Sequence, residues 1–105
     1  MHDKDICPRN EQWQKHGYWK EHYENGLLAE EGLFVNDKEE GVFILYSLEG
    51  KLQYKKTYIN GKCTGPAEIY HSKLIWRGYY DDNNIVGFWE KYDNEKLEYA
   101  EFFAQ

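Results

Sequence analysis

Four glycines set the frame of this chain. Gly17, Gly41, Gly65 and Gly87 each open a similar unit, at steps of 24, 24 and 22 residues. Five positions after each opening glycine stand His22, Tyr46, Tyr70 and Tyr92, and further on come Leu28, Leu52, Leu74 and Leu97. Phe34, Tyr58, Tyr80 and Phe103 lie near the close of each unit. The segments Asn36-Asp37-Lys38, Asn60-Gly61-Lys62 and Asp82-Asn83-Asn84 each begin five residues before the next opening glycine. Self-similarity at this period marks a stack of one supersecondary unit, each copy too small to bury its apolar face alone.

The unit reads as a β-hairpin. Leu52, Tyr54, Lys56 and Tyr58 alternate with Lys51, Gln53, Lys55 and Thr57, and period-two alternation places the two sets on opposite faces of a strand. The runs from Leu74 to Tyr80 and from Leu97 to Phe103 repeat the pattern. Asn25-Gly26 and Asn60-Gly61 are strong hairpin turns, since both residue types tolerate positive φ. No window keeps the three- and four-residue apolar spacing of a helix. The expectation is an all-β, antiparallel meander of stacked hairpin repeats with about eight strands, in one domain over 1–105. Within it, a lead-in spans 1–16 and repeats span 17–40, 41–64, 65–86 and 87–105. The Leu and closing aromatic columns are expected to stack along one face. The third unit is the least regular. Ala67 stands where the others have Trp19, Phe43 and Trp89, and its inner turn, His71-Ser72-Lys73, has no glycine. Asp37 and Asn83 replace the Gly61 of the second junction, which leaves their turn geometry open.

At 105 residues the chain fits a single small domain with a thin core. Its 18% aromatic content, from ten Tyr, five Phe and four Trp, favours strands. The net charge of −6 disfavours nucleic acid and anionic membranes as partners and suits a basic protein. No apolar run reaches the ~18 residues of a membrane span, and the N-terminus has no signal-peptide core. Cys7 and Cys63 form neither a disulfide framework nor a zinc pair, and free thiols in the cytoplasm are the expectation.

Catalytic patterns do not emerge. His2, His16, His22 and His71 have no Glu or Cys at metal-ligand spacing, so no metal or cofactor is expected. His22 occupies a column that is otherwise Tyr. Ser47 and Ser72 lack a nucleophile elbow, a Cys63–His71 pair has no local signature, and Asn60-Gly61-Lys62 is a turn and not a phosphate loop.

Two features suit the binding of a partner. Acidic residues cluster near the unit junctions: Glu30, Glu31, Asp37, Glu39, Glu40, Asp81 and Asp82. In a hairpin array Asp37, Glu39, Glu40, Asp81 and Asp82 would form a negative rim, although turns favour such residues in any case. The second feature is the aromatics of the first strands: Tyr18, Tyr46, Tyr70, Phe88 and Tyr92. A single sheet buries one face, which leaves these as interface anchors unless the sheet curls over them.

The stretch CPRNEQWQKHGYWKEHYENGLL, then VNDKEEGVF and YINGKCTG, resembles the bacterial MORN-repeat variant family. That pattern runs G-x-W-x-x-Y-x-x-G-x-L, then an aromatic, then N-G-K-x-x-G, and the likeness covers the chain from Cys7 onward. The resemblance implies an elongated hairpin sheet that binds or scaffolds and does not catalyse. It also implies a kinship with antitoxin and immunity proteins of the YwqK type. The resulting expectation is a protein that neutralises a basic toxin, possibly a nuclease, by direct binding, with a self-assembling scaffold as the alternative.

Overall fold

The computed structural model describes residues 2–105, so the expected lead-in begins one residue outside it, at Met1. Eight strands follow in chain order: β1 (Gly17–His22), β2 (Leu28–Val35), β3 (Lys38–Tyr46), β4 (Leu52–Ile59), β5 (Lys62–His71), β6 (Leu74–Asp81), β7 (Asn84–Asp93) and β8 (Lys96–Phe103). They form one antiparallel sheet in the order β1 to β8, a meander with no crossover. Each repeat is one hairpin, and each opening glycine pairs with its closing aromatic: Gly17 with Phe34, Gly41 with Tyr58, Gly65 with Tyr80 and Gly87 with Phe103.

The opening glycines do a second job. Their φ angles are +115, +83, +123 and +71°, a region closed to most side chains. Where one unit meets the next, the first strand carries two more residues than its neighbour. Gly32 alone lies opposite Gly41, Val42 and Phe43, and the same bulge recurs at Gly65 and Gly87. Such a bulge bends and twists the strand. The repeated glycine therefore marks the repeated bulge.

The junction turns are two-residue hairpin turns. Asn36 and Asp37, Asn60 and Gly61, and Asp82 and Asn83 all have positive φ at both central positions, as type I′ turns require. Asp37 and Asn83 thus do the work of Gly61, because a short polar side chain tolerates this region. The third unit is two residues shorter because its inner turn is the pair Ser72-Lys73, against five residues between strands in the first two units. Its glycine-free turn puts Ser72 at φ +57°.

The turns also hold one another. Asp37 N donates to Lys15 O (2.8 Å), Gly61 N to Glu39 O (2.9 Å) and Asn83 N to Cys63 O (2.9 Å). Lys15, Glu39 and Cys63 each stand two residues before an opening glycine. The lead-in thus supplies the first rung of a ladder along one rim of the sheet. It also covers the outer edge of β1, where Ile6 and Lys20 exchange backbone hydrogen bonds of 2.8 Å each way. The outer edge of β8 has no strand beside it among the described residues.

The molecule is one sheet thick. Its principal extents are 46 × 32 × 13 Å, and its radius of gyration of 15.5 Å exceeds the ~13 Å of a compact chain this long. Its accessible surface of 7100 Å² exceeds the ~6,200 Å² typical of this mass. Burial is correspondingly one-sided. Trp19, Phe43, Ala67 and Trp89, the column two residues after each opening glycine, are buried with Cys63 on one face. Trp19, Phe34, Phe43 and Tyr58 meet edge-on in a chain, with centroids 5.2–5.4 Å apart. Tyr80 and Trp89 continue it at 5.4 Å, after a break at Ala67. The rings of Phe43 and Trp89 lie over Gly32 and Gly78. Lys15 covers Trp19 and Phe34, and Lys56 covers Tyr54 and Tyr80, so the lysine stems stand in for a missing second layer. The Leu column fares differently from the closing aromatics. Leu28, Leu52 and Leu74 are half-buried and Leu97 is exposed, because that column borders the inner turns and has neighbours on fewer sides.

The two faces of the sheet together carry a pH signature. Burial, followed by hydrogen bonds to Glu31 and Glu68, pushes the phenols of Tyr18 and Tyr70 up to about 12. Burial also raises Tyr54, Tyr58 and Tyr80. A phenol whose folded pKa is raised contributes stability that is complete below the unfolded value of ~10 and is lost as pH rises through the folded value. Thermal stability should therefore fall from about pH 10 upward. Ultraviolet titration of tyrosinate should lag behind that of the denatured chain. Coincident titration curves for the two states would contradict this.

Candidate protein-binding face

The first strands direct one set of side chains away from the buried layer: Tyr18, Lys20 and His22 in β1, Val42, Ile44 and Tyr46 in β3, Pro66, Glu68 and Tyr70 in β5, and Phe88, Glu90 and Tyr92 in β7. Register then aligns rows across the sheet. Tyr18 faces Leu33, Val42 faces Thr57, Pro66 faces Tyr79 and Phe88 faces Phe102. The row runs from β1 to β8 and is strongly exposed at Val42 (50%), Tyr79 (56%), Phe88 (63%) and Phe102 (61%). Phe88 and Phe102 touch edge-on at 5.0 Å. A hollow of about 420 Å³ on this face is lined by Val42, Thr57, Pro66, Tyr79 and Phe88, with charged neighbours beside them.

Those neighbours form a second row of alternating sign. Lys20 faces Glu31, Lys55 faces Glu68, Glu68 faces Arg77 and Arg77 faces Glu90. The tightest rung is Arg77 Nε to Glu68 Oε2 at 2.7 Å. Tyr18 donates to Glu31 (2.7 Å), Tyr70 to Glu68 (2.8 Å) and Tyr92 to Glu90 (3.2 Å). The hydroxyls thus fix the carboxylates in place, which lowers the entropy lost when a partner docks. Of the aromatics expected on this face, Tyr18 and Phe88 are exposed, and Tyr46, Tyr70 and Tyr92 are half-buried nearer the inner turns.

The acidic residues separate into two groups. Asp37, Glu39, Glu40, Asp81 and Asp82 lie along the rim of the junction turns. Several of these carboxylates are engaged there. Asp37 Oδ1 accepts from Lys15 N (2.7 Å), Glu40 Oε1 from Asn60 N (2.9 Å) and Asp81 from the Gln105 amide, while Asp82 pairs with Lys62 (3.1 Å). With Lys15, Lys38 and Lys62 interleaved, the rim is of mixed charge. Glu30 and Glu31 lie in mid-strand, apart from it. As neighbours on β2 they point to opposite faces, Glu31 toward the exposed row and Glu30 toward the buried one. Burial first, and then the negative charges of Glu21 and Glu39, raise the Glu30 carboxyl.

Cys63 and His71 stand at opposite ends of β5, roughly 25 Å apart at the rise of an extended strand. Both cysteines are free, and burial leads the causes that raise both thiols above their ordinary value, which keeps them protonated and poorly nucleophilic. One cluster escaped the sequence reading. His2, Asp5 and His22 converge, with potential ligand atoms all within 4.8 Å of one another. Seventeen residues separate Asp5 from His22, so no local motif signals this, and only the lead-in crossing the edge of β1 brings them together. Among the described residues no helix is long and apolar enough to cross a membrane.

A scan against protein-family models finds no match to this chain, and a search of the curated proteins finds none either.

Proposed function

We propose that this protein acts by binding another protein through the exposed apolar row from Tyr18 to Phe102. The observation that carries this reading is the row itself: Tyr18, Leu33, Val42, Tyr79, Phe88 and Phe102 left exposed on six of the eight strands, on the face opposite the buried layer. Exposed contiguous apolar surface of this kind is typical of interaction sites, and the adjacent ladder of Lys20, Glu31, Lys55, Glu68, Arg77 and Glu90 supplies the polar flank that sets register. The net charge of −6 favours a basic partner. Together with the resemblance to MORN-variant proteins, this supports an antitoxin or immunity protein of the cytoplasm that occludes a basic toxin, without catalysis of its own. The rim carboxylates serve the turns, so the reading places binding energy on the row and only long-range attraction on the rim.

Phe88→Ser and Phe102→Ser test the row. Both side chains are more than half exposed, so stability should change little. Binding should weaken at least ~30-fold for each if they are anchors, the loss of a hot spot of about 2 kcal/mol. The assay is co-expression with the product of the adjacent gene, scored by growth, followed by calorimetry on the pair. If that product is neither bound nor neutralised, the immunity reading is lost.

A second reading rests on β8, whose outer edge is unpaired and which exposes Leu97, Tyr99 and Phe102. An open edge can accept a strand from a second copy. Light scattering that shows concentration-dependent growth, without a foreign partner, would favour this scaffold role.

A further inference from the structure

The lead-in does more than cover an edge. Asp5 is 6% exposed at its side chain and receives three hydrogen bonds: from His22 N (2.6 Å), from His2 N (3.0 Å), and from the His22 ring through Nδ1 (3.1 Å). Burial alone would raise its carboxyl. The bonds from His22 and His2 outweigh burial and hold it below the usual carboxylate range. The rings of His2 and His22 stand 5.8 Å apart, tilted by 34°. Both are largely shielded, with side-chain exposures of 15% and 13%. Two imidazoles and one carboxylate at this separation are a donor set for a borderline divalent cation, not for calcium or magnesium, which take oxygen.

We propose that His2, Asp5 and His22 form a zinc-class metal site that fastens the lead-in to β1. A tetrahedral zinc ion holds its ligands at roughly 2.0–2.1 Å and hence about 3.3 Å from one another. His22 Nδ1 and Asp5 Oδ1 stand 3.1 Å apart, near that spacing, so the metal would replace the proton between them, with the ring proton carried on Nε2, and all three ligand atoms lie within 4.8 Å of one another. The fourth position falls to water. His2 Nδ1 accepts a hydrogen bond from Lys4 N (3.2 Å), and the exposed Asp3 carboxylate lies 3.1 Å from the same atom. The site also explains why His22 occupies a column held elsewhere by Tyr46, Tyr70 and Tyr92: it is the one copy that faces the lead-in and not another unit.

Isothermal titration of the untagged protein with zinc chloride, paired with histidine-ring NMR, tests this. The expected result is one saturable equivalent, shifts confined to His2 and His22 with His16 and His71 unmoved, and a higher melting temperature. His2→Ala should remove the binding without unfolding the sheet, since residue 2 lies outside every strand. His22→Gln, which keeps a polar side chain, should abolish it as well. Stoichiometric binding that survives both His2→Ala and His22→Gln, or no saturable uptake by the folded wild type up to about millimolar zinc, roughly the weakest affinity of a specific site, would overturn the proposal.

Discussion

Phe43→Ala should cost about 3–5 kcal/mol of stability, the usual range for a buried phenylalanine. Phe43 is 3% exposed and is the middle ring of the Trp19–Phe34–Phe43–Tyr58 chain, with both ring neighbours edge-on within 5.3 Å. In a two-layer protein, side chains from the opposite layer can sag into such a gap. Here there is no opposite layer. The hole opens to water on one side and bares the ring faces of Phe34 and Tyr58. Because a domain this small commands only about 5–15 kcal/mol in total, the substitution should move the urea midpoint far toward zero. It should also weaken the coupling between the first two units, since neighbouring repeats hold one another through such interfaces. A loss below about 1 kcal/mol in urea melts would mean that this column does not bind the units together.

Gly78→Ala should be nearly as harmful, for a different reason. A Cβ at Gly78 would stand 2.1–2.5 Å from Cδ2, Cε2 and Cγ of Trp89. Those atoms belong to the root of a buried indole, whose Nε1 is tied to Tyr79 O at 3.1 Å, so the ring cannot swing clear. Overpacking of this kind costs about 1–3 kcal/mol, and more when the ring is fixed. The φ of Gly78 is not in the left-handed region, so the penalty is steric alone. Shrinking the ring should therefore relieve it: in a Trp89→Leu background the added methyl should cost far less than in wild type, a non-additive cycle. Gly87→Ala is the contrasting case. A Cβ there meets nothing within 4 Å, but φ is +71°, so the cost should be the backbone strain of about 1–2 kcal/mol and insensitive to Trp89. Equal penalties for Gly78→Ala in both backgrounds would refute the steric account.

These two glycines show where the sequence is readable and where it is not. The opening glycines announce themselves by spacing, and with them comes the meander of about eight strands, whereas the pairing of each glycine with its closing aromatic emerges only from the register. The places of the turns were legible too, but not their geometry: only the positive φ at Asn36-Asp37 and Asp82-Asn83 shows that they match Asn60-Gly61. Gly32 and Gly78 carry no such mark. Each is explained by a ring on the neighbouring unit's strand, a relation that exists only after the bulges have set the inter-unit register. The same displacement hides the true buried column. Trp19, Phe43, Ala67 and Trp89 include the smallest and the largest apolar residues, and they read as a departure from pattern, not as the centre of a layer. Leu97 fits its pattern and yet lies in water, because burial in a single sheet depends on distance from the rim as much as on side-chain type. The split of Glu30 from Glu31 across the sheet, and the meeting of Asp5 with His22, likewise arise from pairing and not from composition.

The ladder of junction turns has a direction. Every acceptor in it, at Lys15, Glu39 and Cys63, precedes its donor in the chain. During synthesis a hairpin leaving the ribosome would find its landing carbonyl already in position. With contacts confined to adjacent strands, folding is local and fast. The nascent protein can set like masonry laid one course at a time, each course bedded on the last, with its newest strand edge waiting for the next.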